Sequence, residues 1–461
     1  MKRSEIDFKG KKVLLIGAKK SGIAAVELLE ERGAECILSD SNDKLKEEEV
    51  KAQFSRDTKC RFCFGELSED IKREAELVVI SPGVPVDLPL LDQLRERGVK
   101  IWGEVELAYR LSKGDLLAIT GTNGKTTTTA LLGKICGDYF DSSFVVGNIG
   151  IPYTMEAAKM QEDSVTVAEI SSFQLETIEE FHPSVSAILN ITPDHLNRHH
   201  TMECYIAMKE RIAENQTMED TVVLNYDDEL TRDFGRRAGC RVLYFSRLKE
   251  LTEYEESIYL LEDKKTIVYK KGQEIIRVLS VDELKLLGDH NVENVLAALG
   301  MALAYGVPSQ AAAESAKAFT AVEHRIEFVR TAEGVDYYND SKGTNVDAAI
   351  KGIKAMNKRT VLIGGGYDKM SEYDEWIEAF EGKVKGLVLL GQTAEKIAAC
   401  ARRHGFNDIY FAKDMAEAVA KCHEIAQSGD AVLLSPACAS WGMFDNYEQR
   451  GHIFKELVNA L

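Results

Sequence analysis

Residues 116–129 read LLAITGTNGKTTTT, the pattern of a buried strand followed by a glycine-bounded turn. A helix is predicted to continue over Ala130–Cys136. Glycines let the backbone N–H groups of such a turn point toward an anion, and the helix N-terminus adds the positive end of its dipole. Lys125 would neutralise the outer phosphates, and the Thr126 hydroxyl can bind the accompanying magnesium ion. Glycine, lysine and threonine in this order after a strand predict a phosphate loop that binds ATP.

The composition excludes several classes of function. The chain has 461 residues, more than one core holds, so two to four domains are expected. Its formal charge of −18, with no basic stripe, argues against a nucleic-acid surface. A run of about 18 apolar residues is absent from the sequence, so no membrane insertion is expected. The segment Met1–Asp7 turns polar where a signal peptide would turn apolar.

The nine cysteines are scattered and odd in number, as is typical of reduced thiols in the cytoplasm. Cys60 and Cys63 have the spacing of metal ligands, but the sequence offers no second pair. Their aromatic neighbours favour a structural strand over a zinc site.

The N-terminal hundred residues predict a Rossmann-type unit. A strand, a turn and a helix follow one another over residues 12–32, and a second strand ends at Asp40. An oxidoreductase is therefore one hypothesis, with Asp40 on a nicotinamide ribose. However, the turn runs from Gly17 to Gly22 with Lys19 at the position of the middle glycine, where a side chain obstructs a pyrophosphate. A nucleotide bound in another pose is favoured.

The central region places three chemical groups near strand ends. Glu169 lies near the end of a predicted strand in the sheet of the phosphate loop, where it can bind magnesium. Asp194 and His195 follow the next strand and can coordinate a metal or orient a phosphate. Lys209 lies on a predicted helix. Zinc at the nearby histidines is disfavoured, because no cysteine or glutamate follows at zinc spacing.

The last third predicts another α/β unit, with polar loops at residues 339–345, 364–369 and 435–441 after three of its strands. The carboxyl ends of parallel strands share one edge of a sheet, so these loops would lie together. Such an edge facing the phosphate loop would form a closing cleft.

Seven segments together resemble the Mur ligase family, whose members build the peptide stem of the bacterial cell wall and whose relatives include folylpolyglutamate synthetases. The resemblance covers essentially the whole chain. It rests on Gly121–Thr127, Glu169–Leu175, Asp194–His195, Lys209, His290–Asn291, His324–Arg325 and Asn339–Lys342.

The resemblance implies an α/β fold of three domains. These are a Rossmann-like domain over residues 1–104 for a UDP-sugar, a central P-loop ATPase-like domain with a parallel sheet over residues 105–320, and a Rossmann-like α/β domain over residues 321–461 for the incoming amino acid.

Ser435–Ser440, Phe444, Tyr447 and Glu448–Gly451 resemble the family members that add D-glutamate to UDP-N-acetylmuramoyl-L-alanine. The implied activity is an ATP-dependent amide ligation in peptidoglycan precursor synthesis. ATP would phosphorylate the substrate carboxylate, and the amine of D-glutamate would attack the acyl phosphate. A carboxylate becomes a good electrophile only when one of its oxygens is made a leaving group, which agrees with this route.

The resemblance also implies the site residues. Lys125, His195 and Lys209 would be catalytic, with Asn148 and His195 facing the muramoyl-alanine, while Asn197 is assigned no role. ATP would contact Gly121, Thr122, Asn123, Gly124, Lys125, Thr126, Thr127, Asn291, Arg325 and Asp340. Two magnesium ions would be held by Thr126, Glu169, His195 and Lys209, the last of them carbamylated. The UDP-sugar would contact Gly17, Lys20, Ser21, Asp40, Ser81, Gly83 and Asn148, and D-glutamate would contact Lys342, Thr344, Lys369, Ser440 and Tyr447.

Three classes of function remain at this point: the ligase, which is favoured, the Rossmann oxidoreductase, and a non-catalytic nucleotide switch. A switch would have no need of Lys209 or of the loops in the last third. The ligase hypothesis implies small-molecule partners only and a cytoplasmic monomer.

Overall fold

The computed structural model describes residues 6–320 and 322–461. The expectation for Met1–Asp7 falls mostly outside them, and the side chain of Asn197 is also outside the described set. The chain forms two compact units. The first unit comprises Met1–Glu283 and Glu293–Lys317, and the second comprises Leu284–Val292 and Ala318–Leu461.

The N-terminal sheet has five parallel strands in the order β3-β2-β1-β4-β5. Its strands are β1 (Lys12–Ile16), β2 (Glu35–Asp40), β3 (Arg61–Phe64), β4 (Leu77–Ile80) and β5 (Lys100–Gly103). Its helices are α1 (Lys20–Glu31), α2 (Glu47–Lys51), α3 (Glu69–Glu74), α4 (Pro89–Glu96) and α5 (Glu104–Leu111). The strand order reverses between β1 and β4, which is where open α/β sheets bind ligands. The strand predicted around Cys63 is β3.

The central sheet has nine strands in the order β14-β13-β12-β11-β10-β9-β6-β8-β7. Its strands are β6 (Asp115–Thr120), β7 (Ser143–Gly147), β8 (Val165–Glu169), β9 (Val185–Ile188), β10 (Thr221–Asn225), β11 (Arg241–Ser246), β12 (Glu256–Leu260), β13 (Thr266–Lys271) and β14 (Glu274–Ser280). The associated helices are α6 (Lys125–Tyr139), α7 (Tyr153–Ala157), α8 (Ser172–Leu175), α9 (Leu196–His199), α10 (Met202–Glu210), α11 (Glu229–Gly235), α12 (Asp289–Tyr305) and α13 (Ser309–Ala318), with 3₁₀ turns at Arg211–Ala213 and Val281–Glu283.

The seven strands β6 to β12 of this sheet pair in parallel, as expected. The last two strands, β13 and β14, extend the sheet with antiparallel pairing. Short connections explain the difference, because links of five residues after β12 and two residues after β13 close hairpins but are too short for a parallel crossover.

The third sheet has six strands in the order β15-β16-β20-β17-β18-β19, with only β15 antiparallel. Its strands are β15 (Glu327–Ala332), β16 (Val335–Asn339), β17 (Thr360–Gly364), β18 (Val384–Leu389), β19 (Ile409–Phe411) and β20 (Ala431–Leu434). Its helices are α14 (Val346–Ala355), α15 (Asp374–Glu378), α16 (Ala394–Arg403), α17 (Met415–Ile425) and α18 (Tyr447–Asn459).

The centres of the sheets are apolar on both faces, because helices cover parallel strands on both sides. In β6, Leu116–Ile119 are all buried, and the same holds for Val13–Leu15 of β1 and Val361–Ile363 of β17. These strands fix where their carboxyl ends emerge, and the polar loops begin there.

A buried carboxylate joins α5 to the segment that follows α8. Glu106 is fully buried and accepts hydrogen bonds from the backbone N–H groups of Glu179, Glu180 and Phe181 at 2.9–3.1 Å. Arg110 Nε donates to the same carboxylate at 2.6 Å. Removal of one partner of such a pair leaves a buried charge and several donors without compensation.

We expect Glu106→Ala to lower the free energy of unfolding by about 3–5 kcal/mol, because three buried amides lose their acceptor and Arg110 loses its buried partner. Arg110 keeps its ion pairs with the part-exposed Glu179 and Glu180. Thermal and denaturant unfolding followed by circular dichroism measure this change. Glu49→Ala is the control, since Glu49 forms an exposed ion pair with Lys46, and its unfolding midpoint should stay at the wild-type value. Equal midpoints for all three proteins would contradict the structural role of Glu106.

Candidate active site

The phosphate loop leaves the carboxyl end of β6 and enters α6. Gly121 has φ 146° and Gly124 has φ 86°, both in a region that side chains disfavour. A Cβ on Gly124 would lie 2.2 Å from Asn294 Oδ1, so α12 also excludes any larger residue here. The sequence therefore needs glycine at this position on both conformational and steric grounds.

The turn after β9 braces this loop. Asn190 O accepts from Thr122 N at 2.9 Å, and Asn190 Oδ1 accepts from Asn123 N at 2.9 Å. Asn190 Nδ2 donates back to the carbonyl of Asn123 at 3.1 Å. One asparagine thus holds the tip of the loop, a role that the sequence analysis missed.

Lys125 and Thr126 open α6, as predicted. Lys125 Nζ donates to the carbonyl oxygens of Gly121 at 2.8 Å and Thr122 at 2.9 Å, so its ammonium is held over the loop. Thr126 is half-buried and Thr127 is buried in the same first turn. The positive charge and the helix dipole therefore act at one place, which suits an anionic phosphate chain.

Glu169 is the last residue of β8, and it pairs in the sheet with Ile119 of β6. It is buried, and its Oε1 accepts from Asn148 Nδ2 at 2.8 Å. Its buried Oε2 has no hydrogen-bond partner among the residues that the structure describes. A cation can satisfy a buried carboxylate oxygen of this kind, and a hard divalent ion such as Mg²⁺ fits that donor.

Lys209 on α10 is almost completely buried, with 1% of the residue exposed. Its Nζ donates to Gly121 O at 2.8 Å and lies 4.6 Å from the centre of the Tyr205 ring. Burial, reinforced by the charge of Lys125, lowers the pKa of Lys209 to about 6. The amine is therefore largely neutral at pH 7, unlike that of an ordinary surface lysine.

His195 begins α9 with φ 52°, and half of its side chain is exposed beside Asp194, whose Oδ2 lies 3.5 Å from Nε2. His199 is the more enclosed ring. Its Nε2 lies 2.9 Å from Ser172 Oγ, its Nδ1 lies 3.8 Å from Glu176 Oε1, and burial lowers its pKa to about 4.

Sequence reasoning gave no role to His199, Ser172 or Glu176, although the cluster of three histidines signalled the segment. Arg198 joins this group to the first sheet. It forms an ion pair with Glu176 at 2.5 Å and donates to Val84 O at 2.9 Å, next to the loop after β4.

The residues assigned to the UDP-sugar gather at the carboxyl ends of β1, β2 and β4. Ser81 Oγ donates to Gly17 O at 3.2 Å, and a Cβ on Gly17 would lie 2.7 Å from Ser81. Asp40 accepts from the backbone N–H groups of Ala18 at 2.9 Å and Asn42 at 3.0 Å.

Asp40 thus supports the turn that a ligand would contact. Ser21 lies in the first turn of α1, and Gly83 is exposed in the loop after β4. Lys20 Nζ donates to Gly150 O at 3.0 Å, which brings the loop of Asn148 to this edge.

The second unit contains the remaining residues that were assigned to ATP. Asp340 is buried, and it accepts from Ser435 Oγ at 2.7 Å and Ile326 N at 3.3 Å. Burial raises its pKa to about 7, while the Ser435 hydrogen bond and Arg325 act in the opposite direction. Asn291 Nδ2 donates to Leu287 O at 2.7 Å. The charge of Arg325 acts on the Asp340 carboxylate, so these two residues lie close together.

The residues assigned to D-glutamate form two groups in the same unit. Lys342 Nζ lies 5.7 Å from the centre of the Tyr447 ring, and Thr344 N donates to Lys342 O at 2.8 Å. Lys369 Nζ lies 5.2 Å from the ring of Trp441, the neighbour of Ser440.

Sequence reasoning assigned no role to Arg450, although it lies in a quoted motif. Its buried guanidinium donates to Ser341 Oγ at 2.9 Å, Ser341 O at 2.7 Å and Cys438 O at 3.1 Å. Arg450 thereby joins the loop after β16 to the loop after β20.

Comparison with known proteins now places these sites in a family. Residues 11–103 match the Mur ligase MurD-like N-terminal domain, residues 119–302 match the Mur ligase middle domain, and residues 324–438 match the Mur ligase glutamate ligase domain. The chain belongs to the Mur ligase family. The family prediction and the three-domain α/β fold are confirmed, whereas the boundaries at residues 104 and 320 stay predictions.

Full-length relatives of this Mur ligase include proteins named UDP-N-acetylmuramoylalanine–D-glutamate ligase. One from Lachnospira eligens is 55% identical over 99% of this chain and 100% of its own length. One from Lachnoclostridium phytofermentans is 54% identical over 99% of each chain, and one from Clostridioides difficile is 46% identical over 99% of this chain and 100% of its own length.

A solved structure with the same fold is UDP-N-acetylmuramate–alanine ligase from Thermotoga maritima, with a TM-score of 0.59 and 20% identity over 97% of this chain and 99% of that one. Mur ligases are ATP-dependent, so the prediction of ATP as a substrate is confirmed. Among the described residues of this Mur ligase, no helix is both long and apolar enough to cross a membrane.

Lys209→Met should show the cost of burying an amine. The unfolded chain binds a proton at Lys209 below pH 10.5, but the folded chain binds it only below about pH 6. Stability linked to this lysine is therefore lost as pH falls from 10.5 to 6 and is constant below. As pH falls over that range, we expect the free energy of unfolding of Lys209→Met to rise by several kcal/mol relative to that of the wild type.

Denaturant unfolding at pH 6, 8 and 10, in buffers free of carbon dioxide and magnesium, measures this difference. Lys113→Met removes an exposed lysine and should give a pH-independent difference. A pH-independent difference for Lys209→Met as well would disprove the lowered pKa.

Proposed function

We propose that this Mur ligase joins D-glutamate to UDP-N-acetylmuramoyl-L-alanine with hydrolysis of ATP to ADP and phosphate. The observation that carries the proposal is the grouping of Lys125, Lys209 and Glu169 around the loop at Gly121. Identities of 44–55% to full-length D-glutamate ligases support the choice of substrates. The reaction belongs to peptidoglycan precursor synthesis.

The first step transfers the γ-phosphoryl group of ATP to the carboxylate of the muramoyl-alanine. Lys125, the loop amides and the N-terminus of α6 stabilise the negative charge that spreads over the phosphoryl oxygens. The amine of D-glutamate then attacks the acyl carbon, and the tetrahedral intermediate collapses to the amide and phosphate.

Magnesium, when bound, supplies positive charge to the transferring phosphoryl group. Thr126 and Glu169 would hold one ion, and the orphan Oε2 of Glu169 is the structural support for this assignment. His195 and a modified Lys209 would hold a second ion.

Lys209 is suited to carbamylation because its amine is largely neutral at pH 7. The amine nitrogen attacks carbon dioxide, one C=O electron pair moves to oxygen, and the nitrogen releases a proton, leaving a carbamate anion. This change converts a neutral amine near Lys125 into an anionic ligand for a divalent ion.

The remaining proposed contacts divide between the units. Gly17, Lys20, Ser21, Asp40, Ser81, Gly83 and Asn148 bind the UDP-sugar, and Asn291, Arg325 and Asp340 bind the nucleoside of ATP. Lys342, Thr344, Lys369, Ser440 and Tyr447 bind the two carboxylates of D-glutamate. We further propose a cytoplasmic monomer with no nucleic-acid partner, and the formal charge of −18 supports the last point.

Phosphate release from purified protein tests the reaction. It should require ATP, UDP-N-acetylmuramoyl-L-alanine and D-glutamate together, and Lys125→Ala should reduce turnover by about 100-fold or more with the circular dichroism spectrum retained. Lys134→Ala is the control, because Lys134 is on the same helix but pairs with Asp138 at its surface. Phosphate release without the sugar nucleotide would instead support a nucleotide switch.

The second test concerns the carbamate. Lys209→Ala should lose activity and regain part of it when small carboxylates such as acetate are added, because they replace the missing anionic ligand. Lys125→Ala is the control, since acetate should not restore its activity. Wild-type activity in Lys209→Ala would reject the carbamate role while leaving the ligase assignment intact.

A further inference from the structure

A thiol, an imidazole and two carboxylates meet between α15 and α16 in the second unit. Cys400 and His404 are four residues apart, and His404 N donates to Cys400 O at 3.2 Å, so both side chains lie on one face of α16. Asp374 and Glu378 supply the two carboxylates and lie four residues apart, at the two ends of α15.

Contacts bind these residues into one cluster. His404 Nε2 lies 2.8 Å from Asp374 Oδ1, and His404 Nδ1 lies 3.9 Å from Glu378 Oε1. The ligand atoms of Asp374, Cys400 and His404 all lie within 4.8 Å of one another. Cys400 is buried, while Asp374 and His404 border the solvent, so the cluster has a closed inner side and an open outer side.

We propose that this cluster is a zinc site, with Cys400 Sγ, His404 Nε2 and the Asp374 carboxylate as ligands. Ligands at zinc distances of about 2.0–2.3 Å in a tetrahedron lie roughly 3.3–3.7 Å apart, which small side-chain rotations reach from the present separations. The fourth position faces solvent and takes water. The proposal does not depend on the ligase activity.

The donor set selects the metal. A thiolate and an imidazole favour zinc over magnesium or calcium, which take oxygen ligands. Glu378 Oε1 lies 3.9 Å from the other ring nitrogen of His404, where a small side-chain rotation would let it accept the Nδ1 proton and fix the tautomer of a zinc-bound histidine. One thiolate and one carboxylate balance the two positive charges of the ion.

Binding requires three local changes. Zinc replaces the proton between His404 Nε2 and Asp374 Oδ1, which now lie 2.8 Å apart. The thiol of Cys400 gives its proton to solvent as the sulfur–zinc bond forms, so affinity rises with pH. Arg403 donates to Asp374 Oδ1 at 3.2 Å and must release it, which is easy because 61% of the Arg403 side chain is already exposed.

A second cluster in the same unit, formed by Glu323, His324 and His452, is a poor metal site. The orientation of the Asn339 amide is fixed, because its Oδ1 accepts from Ser341 N. Its Nδ2 therefore donates both to the Glu327 carboxylate and to His324 Nδ1. Because His324 Nδ1 accepts from an amide, the proton of the neutral ring is held on Nε2, the atom that a metal would need. His404 differs, since its Nδ1 faces the Glu378 carboxylate, to which a proton on that nitrogen can be donated.

Cobalt titration of the full-length, metal-free protein without nucleotide tests the zinc site. We expect one equivalent of Co²⁺ to give the absorption of tetrahedral cobalt with a thiolate-to-cobalt charge-transfer band, and zinc to abolish it. Cys400→Ser and His404→Gln should lose the band. Glu378→Gln should keep it with affinity weakened about 10- to 100-fold.

Cys204→Ser is the matched control, because Cys204 is an exposed thiol on α10. It should keep the band, as should His452→Gln. The absence of a charge-transfer band in the wild type, or its persistence in folded Cys400→Ser, would overturn the proposal. If Cys400→Ser fails to fold, the titration of His404→Gln replaces it, because His404 is exposed. A cobalt titration of His404→Gln that is identical to that of the wild type would also overturn the proposal.

Discussion

Parallel strands in one sheet end at the same edge, and the chemistry of this protein depends on that constraint. The phosphate loop leaves β6, whose two neighbours are β8 and β9. Glu169 ends β8 and Asn190 follows β9, so a carboxylate and a bracing amide must emerge on either side of Gly121. No side-chain contact is needed to bring them together, because the backbone ladder does so.

The buried polar groups at this edge need a partner of complementary charge or hydrogen-bonding capacity. Glu169 has a buried oxygen that calls for a cation, and Lys209 is buried as a largely neutral amine against a carbonyl oxygen. Such groups weaken the isolated fold, since burial disfavours charge. In the proposed function, bound metal and nucleotide would offset that penalty. Burial likewise disfavours the charged form of Asp340 in the second unit.

Much of this arrangement is predictable from sequence. The order of strand, glycine turn and lysine identifies the phosphate loop, and the position of Glu169 at a strand end predicts where its carboxylate lies. The family motifs add the nucleotide and amino-acid residues by position. The burial of individual polar side chains is not predictable from the sequence. Lys209 looks like any helical lysine, and only its packing on Tyr205 and Gly121 makes its amine neutral.

His199 and Arg450 were overlooked for the same reason, because their roles arise from partners distant in sequence. The hairpin of β13 and β14 was also missed, since the apolar pairs Ile275–Ile276 and Val278–Leu279 break the alternation expected of its outer strand.

The assignment of Leu284–Val292 to the second unit has a consequence for dividing this chain. Leu287 packs against the hydrophobic core that contains Ile353 and Leu362, and Gly288 lies close to Ala355. A recombinant fragment starting near residue 320 would lack this short strip of polypeptide, and the core would be left open to water. Anyone excising the C-terminal portion as a separate crystallisation or screening target would have to supply those nine residues, by fusion or as a peptide.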